Sequence, residues 1–195
     1  MFGFKRLARD EDGVTVIEFA FVAPVMVLLL TGILEFGYVL FARSTLESAV
    51  LEGARSSRVL DCPNENAKAV EEFIQNRMDV VASANGQKAK LVVDSYGQSF
   101  GDVGNPEPYD DVDGNGTRDV GESYTDVNGN GEWDSDMGTE GDFGSFGEVV
   151  RFTASYEVAS ILPFLAQRYN GKPSYSIEAA TVVRNEPFKD ATCAI

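Results

Sequence analysis

The sequence contains no histidine and only two cysteines, Cys62 and Cys193. The first absence removes the commonest general base and the usual zinc ligand, and two thiols are too few for a zinc site of Cys or Cys/His type. No serine or cysteine has an imidazole to activate it, and no glycine-rich phosphate loop follows a predicted strand, so an enzyme is not expected. Positive charge is also scarce. The 16 Lys and Arg stand against 31 Asp and Glu, and the resulting net charge of −15 disfavours nucleic acid as a partner. Charge of either sign nearly vanishes between Val14 and Phe41, where Glu18 and Glu35 are the only charged residues.

That stretch is long enough to cross a bilayer, since about 20 apolar residues at 1.5 Å per residue suffice. A carboxylate at the centre of such a segment costs roughly 3 kcal/mol on insertion scales, so Glu18 requires a reason. Lys5, Arg6 and Arg9 precede the apolar stretch and the next basic residue is Arg43. The excess of cations before the span predicts a cytoplasmic N-terminus, with the rest of the chain on the far side of the inner membrane. A secretory signal would have a shorter apolar core followed by an Ala-x-Ala-like site, and neither is evident. The sequence instead runs on through GYVLFARSTLESAVLEGARSS with few turn signals before Cys62 and Pro63. One continuous helix is expected from about residue 14 to 59, stepped at Pro24 and softened at Gly32 and Gly37.

The run EDGVTVIEFAFVAPVMVLLLTGILEFGYVLFARSTLESAVLEGAR resembles the N-terminal signature of TadE/TadG-like minor pilins of the Tad (Flp) pilus, a branch of the type IV pilin superfamily. The resemblance implies that a prepilin peptidase cuts after Gly13, leaving a mature chain that starts at Val14 with Glu18 as its fifth residue and Phe19 after it. Pro24, the second acidic residue Glu35, and Gly53, Ala54 and Arg55 near the helix end fall on the family's remaining positions. The strand ending VVRNE at residues 182 to 186 is a looser match, and the middle of the chain has none. The partners so implied are other Tad pilins, the pilus assembly platform, the prepilin peptidase and the inner membrane. Physically, cleavage would free an α-amino group on Val14 that could pair with Glu18 of an adjacent subunit, neutralising both charges in an apolar bundle. In a plain anchor helix Glu18 would merely snorkel to the interface. Glu35 lies 17 residues, or roughly 25 Å, further along, which suits either the outer interface or a packing role.

The expected organisation is a leader over 1–13, a transmembrane and assembly helix over 14–60, and an α+β head over 61–195 with an insertion at 97–147. Apolar residues recurring at three and four predict a second helix at about 65–84, stopped by Asn85 and Gly86. Strands are expected at about 89–96, 148–159 and 174–185, forming a small antiparallel sheet. In the second of these, Val150, Phe152, Ala154, Tyr156 and Val158 alternate with polar residues. In the third, Tyr175, Ile177, Ala179 and Val183 point inward. The connection ILPFLAQRYNGKP is apolar and broken by Pro163. In an oxidising compartment Cys62 and Cys193 could close a loop of 131 residues (193 minus 62), worth up to about 4 to 5 kcal/mol; two unpaired thiols are the alternative.

The insertion carries 13 acidic residues and one basic, Arg118, between Asp102 and Asp142, a composition normally read as disordered. Its order argues otherwise. Asp111, Asp113, Asn115, Gly116, Asp119 and Glu122 occupy positions 1, 3, 5, 6, 9 and 12 of a calcium loop, with Thr117 at position 7 offering its carbonyl. Fifteen residues later Asp126, Asn128, Asn130, Gly131 and Asp134 repeat the pattern, with Glu132 at position 7. Met137 stands where the bidentate acid belongs, so Asp136 or a residue from elsewhere must close the second loop. One or two Ca2+ ions are therefore expected. Ser123, Tyr124 and Thr125 alone separate the loops, which leaves no room for the helices of a paired EF-hand.

These observations favour a minor pilin or pseudopilin that works in assembly or at the tip of a Tad-type pilus, held in the inner membrane and then displayed at the cell surface, with a possible part in adhesion. The alternative is an unprocessed single-pass membrane protein whose calcium-binding head interacts with the envelope. A membrane-tethered calcium-dependent hydrolase lacks any arranged nucleophile or base.

Overall fold

The computed structural model describes residues 12–57 and 63–185. Helix α1, Asp12–Ser57, runs uninterrupted for 46 residues, about 69 Å, and passes through Pro24 without breaking. Its two halves face different surroundings. From Val16 to Leu34 the large apolar side chains are exposed on every face, whereas Ala42, Leu46, Ala49, Val50 and Ala54 are buried. Buried positions spaced by three and four make the C-terminal half an ordinary core helix, and the N-terminal half is apolar all round.

Helix α2, Pro63–Met78, packs against that buried half. Gly53 is at the crossing: a Cβ there would lie 3.1 Å from Val70 Cγ1 and 3.7 Å from Ile74 Cγ1, so any larger residue would require Val70 to give by a few tenths of an ångström. The helix ends six residues before the predicted stop at residue 84. Tertiary hydrogen bonds take over there. The Ala82 N–H donates to the Tyr38 hydroxyl at 2.8 Å, the Tyr156 hydroxyl donates to the Val81 carbonyl at 2.9 Å, and the Ala159 N–H donates to the Ala82 carbonyl at 2.9 Å. The chain thus leaves the helix to run beside the end of a strand. Asn85 and Gly86 do adopt positive φ (59° and 68°), but in a separate 3-10 turn.

Strands β1 (Lys90–Tyr96), β2 (Thr139–Glu140), β3 (Val149–Ala159) and β4 (Ser174–Arg184) form one antiparallel sheet in the order β2-β1-β3-β4. Register pairs Val93 with Phe152, Phe152 with Thr181 and Ala154 with Ala179, which aligns the apolar positions of β1, β3 and β4 on one face. That face meets α1 and α2 in a core that includes Leu46, Val50, Ile74, Met78, Phe152, Tyr156 and Val158. The architecture is α+β, as expected, with two additions the sequence pattern did not signal. The two-residue β2 lies within the acidic insertion. The connection after β3 contains a short helix α3, Pro163–Asn170, closed by Gly171 at φ 76°.

The Leu46 side chain is fully buried where α1 meets the sheet. Leu46→Ala should cost about 3 kcal/mol through lost contacts and the cavity left behind, and lower the melting temperature of the detergent-solubilised chain by roughly 6 to 12 °C.

Candidate functional site

Two regions carry the residues singled out in the sequence: the first half of α1 and the acidic insertion. Gly13 and Val14 fall in the first turn of α1, and Glu18 is exposed on its surface one turn later. Val16, Ile17, Phe19 and Phe21 around it are all more than half exposed, so the Glu18 carboxylate stands among exposed apolar side chains. Glu35 is different. It is 8% exposed, and its carboxylate accepts hydrogen bonds from the Ser160 hydroxyl, the Ile161 N–H at 3.0 Å and the Leu162 N–H at 3.3 Å. Of the two places the sequence allowed it, Glu35 takes the packing role, on the link between β3 and α3. Cys62 and Cys193, and the leader up to residue 11, lie outside the described residues.

The insertion is an ordered, hydrogen-bonded unit. In the first loop the Asp111 carboxylate accepts from the N–H groups of Gly114, Asn115 and Gly116 at 2.8 to 3.1 Å. The Gly116 bond is the strongest influence holding the Asp111 pKa below its ordinary value, against a smaller desolvation effect. Asp111, Asp113 and Glu122 each bring a carboxylate oxygen within 4.8 Å of one another. The Asn115 amide nitrogen donates to Asp113 at 3.0 Å and to Asp119 at 2.7 Å, and its oxygen accepts from the Thr117 N–H at 2.7 Å. The second loop repeats this wiring. Asp126 accepts from Gly129 and Gly131, Asn128 and Asn130 both donate to Asp134, and the Glu132 N–H donates to Asn130.

The twelfth position is where the loops differ. Glu122 closes the first loop by accepting from the Val112 N–H (2.8 Å) and the Asp119 N–H (2.9 Å), at positions 2 and 9. In the second loop the same two positions, Val127 at 2.6 Å and Asp134 at 3.2 Å, donate to Glu107, which lies nineteen residues before Asp126. Glu107 is fully buried and also accepts from the Asn128 N–H at 3.3 Å. A carboxylate from outside the repeat therefore accepts the backbone bonds for which Met137 has no acceptor, although the close trio of carboxylates at the first loop is not matched at the second among the described residues. Asp136 turns elsewhere, accepting from Arg151 Nη2 at 2.7 Å and the Tyr96 hydroxyl at 3.2 Å. Sequence spacing could not reveal Glu107, because it precedes both loops and reaches the second through the backbone. Its N–H donates to the Asp134 carbonyl at 3.0 Å, and its carbonyl accepts from Trp133 Nε1 at 3.0 Å.

In place of an aliphatic core the insertion has an aromatic and cationic one. The Arg118 guanidinium lies 4.7 Å from the Tyr124 ring centroid and 5.5 Å from that of Trp133, and Trp133 meets Tyr109 edge to face at 5.9 Å. Besides the pairing of β2 with β1, side-chain bonds tie this unit to the sheet. Arg151 on β3 donates to Asp94 on β1 at 2.7 and 3.1 Å and to Asp136 at 2.7 Å. Burial works against the Asp136 charge, but hydrogen bonds from Arg151, Tyr96 and the Gly138 N–H outweigh it and lower its pKa. Burial, followed by the bond to Asp136, pushes the Tyr96 hydroxyl far above its ordinary 10.0. At the base of the insertion, Arg184 Nε donates to the Gly147 carbonyl at 2.9 Å, and the Asn185 amide donates to the carbonyls of Phe143 and Gly144 at 2.8 and 3.1 Å.

Residues 13–55 match the family model of TadE-like proteins, and these residues coincide with α1 almost end to end. No curated protein and no solved structure matches the chain.

Arg151 joins Asp94 of the sheet to Asp136 of the insertion. Arg151→Ala leaves both carboxylates without their charged donor, which should destabilise the chain by about 2 kcal/mol. The melting temperature should fall by roughly 4 to 8 °C, with faster proteolysis between residues 100 and 145 while α1 retains its helical signal.

Proposed function

We propose that this chain is a minor pilin or pseudopilin that serves assembly of a Tad-type pilus, structural rather than catalytic. The observation that carries the reading is the TadE-like match over residues 13–55 on a single helix whose first half is apolar on all sides. Such a surface calls for lipid while the protein waits in the inner membrane and for neighbouring helices once it is assembled. The head faces the periplasm, consistent with the cations Lys5, Arg6 and Arg9 ahead of the span. A prepilin peptidase cuts after Gly13, and the new α-amino group of Val14 pairs with Glu18 of an adjacent subunit. Cys62 and Cys193 pair in the oxidising compartment. Other pilins and the assembly platform are its partners, and the insertion, displayed outward at the pilus tip or cell surface, is the adhesive element.

Processing separates this reading from a standing membrane anchor. The native protein should begin at Val14 on N-terminal sequencing, and Gly13→Val, which places a branched side chain beside the scissile bond, should leave only the longer form. Glu18→Ala should be cut normally yet fail to enter sheared pili. Met1 as the native N-terminus would overturn the proposal, and normal piliation of Glu18→Ala would remove the pairing role.

Calcium is the ion best suited to the insertion. The three carboxylates gathered at Asp111, Asp113 and Glu122 repel one another without a cation, and the loop supplies only oxygen donors. Asp111, Asp113, Asn115, Asp119, Glu122 and the Thr117 carbonyl would hold one ion. Asn115 would have to turn its amide so that oxygen rather than nitrogen faces the carboxylates. Asp126, Asn128, Asn130, Asp134 and the Glu132 carbonyl would hold a second, with Glu107 taking the part Glu122 has in the first. Bound calcium neutralises acidic charge and fixes the loop backbone. Extracellular modules bind at about 10⁻⁴ to 10⁻³ M, so calcium at ten times the dissociation constant adds about 1.4 kcal/mol per site. The melting temperature should rise by roughly 3 to 6 °C for each ion over its value in chelator, and magnesium should give less. Glu122→Gln and Glu107→Gln should each remove one of the two increments. Equal melting and equal proteolysis in calcium and chelator would leave the loops as acidic turns without an ion.

A further inference from the structure

We propose that the link between β3 and β4 is a second membrane contact, a wedge that inserts beside α1 into the outer leaflet. This rests on the reading of α1 as a membrane span. About 20 residues cross the hydrocarbon, so a span that begins near Val16 ends near Glu35. The wedge begins at that level, where Glu35 accepts the N–H groups of Ile161 and Leu162. It then reaches back along the span rather than away from it. Leu162 and Phe164 line a shallow apolar groove with Pro24, Val27, Leu28 and Thr31 of α1. Thr31 and Val27 precede Glu35 by four and eight residues, roughly 6 and 12 Å along the axis, so Phe164 lies at a depth that lipid tails occupy around α1.

Exposure and charge identify the same occupant. Ile161 is 55% and Phe164 66% exposed, continuous with the exposed apolar surface of α1, so one apolar solvent covers both. The 20 residues between Glu157 and Glu178 include no acid in a chain of net charge −15, and they carry Arg168 and Lys172. Both cations are exposed, as is Tyr169 at 90%. An aromatic hydroxyl and two cations next to an inserted apolar turn suit the headgroup layer, where tyrosine concentrates and basic side chains meet lipid phosphates. Glu35 is then a clasp. Its buried carboxylate accepts the N–H groups of the two residues just before α3, of which Ile161 has no other acceptor among the described residues while Leu162 is shared with Ser160 Oγ at 3.0 Å.

The test uses the full chain in phosphatidylcholine/phosphatidylglycerol vesicles containing a phospholipid with a diazirine in its acyl chain, at high lipid dilution, with adducts mapped by mass spectrometry after illumination. Adducts are expected on α1 between residues 16 and 34 and on the peptide holding Ile161–Phe164, with none between residues 105 and 136. Glu35→Ala should lose the adducts at 161–164 and keep those on α1. Adducts on α1 without any at 161–164 would overturn the wedge and leave the span standing. In a companion sample with a diazirine-bearing residue in place of Phe164 and unlabelled lipid, crosslinks to a second chain in place of lipid adducts would overturn it in favour of a subunit contact. Absence of adducts from α1 as well would remove the membrane reading on which the wedge depends.

Discussion

Everything in this molecule depends on one helix serving two apolar environments, and the change of environment occurs at Glu35. Before it α1 is apolar all round and exposed; after it, the side bearing Leu46 and Val50 is buried and is the floor of the core, while Phe36, Leu40 and Phe41 remain exposed. A helix of this kind could swing freely under a head attached only by a loop. Here it cannot, because α1 supplies a wall of the core and packs on α2, β3 and β4 along its second half. The Glu35 carboxylate adds a fixed point at the boundary by binding three groups of the β3–α3 link. Burying a carboxylate so close to an apolar layer is costly unless its oxygens are satisfied, and here the link satisfies them.

The acidic insertion solves a different problem. With 13 acids and little aliphatic surface, it cannot fold by burying hydrocarbon. Order comes instead from carboxylates that accept several backbone N–H groups each, from a guanidinium placed over two aromatic rings, and from Glu107 buried between segments distant in sequence. Asp111, with three N–H partners, is stabilised in its charged form, so the first loop holds negative charge in place there. Such pre-organised charge is what the proposed calcium ion would meet.

The long helix was legible because its signals are local: an apolar run, two isolated acids, one proline. The three main strands were legible through their period of two, and the register places Val150, Phe152, Ala154, Tyr156 and Val158 on the buried face as the alternation implied. The end of α2 was not legible. Periodicity continued to residue 81, and the helix stops at Met78 because Tyr38, Tyr156 and Ala159, 40 to 81 residues away in sequence, offer the backbone other partners. Of the site residues, the two loops were readable as spaced oxygen donors. Glu107 and the Arg151 cluster were not, since each joins segments whose proximity only the fold creates. Gly53 shows the opposite case: its place in the family signature was visible, and Val70 is the neighbour that a larger residue there would displace.

The sheet fixes the relation between the two ends of the head. Its strands run between two groups of loops. One end, where β3 finishes and β4 begins, carries Ser160 and α3 and is held at Glu35. The other, where β1 ends, β3 begins and β4 ends, carries the base of the insertion, clamped by Arg184 and Asn185. Leu51 and Arg55, 16 and 20 residues beyond Glu35, share a groove with Gln98, Phe146 and Arg184 at that second end. At 1.5 Å per residue this puts the base of the insertion roughly 24 to 30 Å along α1 from the Glu35 clasp. If Glu35 marks the outer face of the bilayer, the acidic loops stand about the height of a small domain above the lipid, on the side of the sheet that α1 does not cover. Anionic lipid would repel them from any closer position, and the acid-free α3 occupies the near end instead. On the proposed placement of α1, the charge asymmetry of the chain and the direction of its strands agree on one orientation of the head.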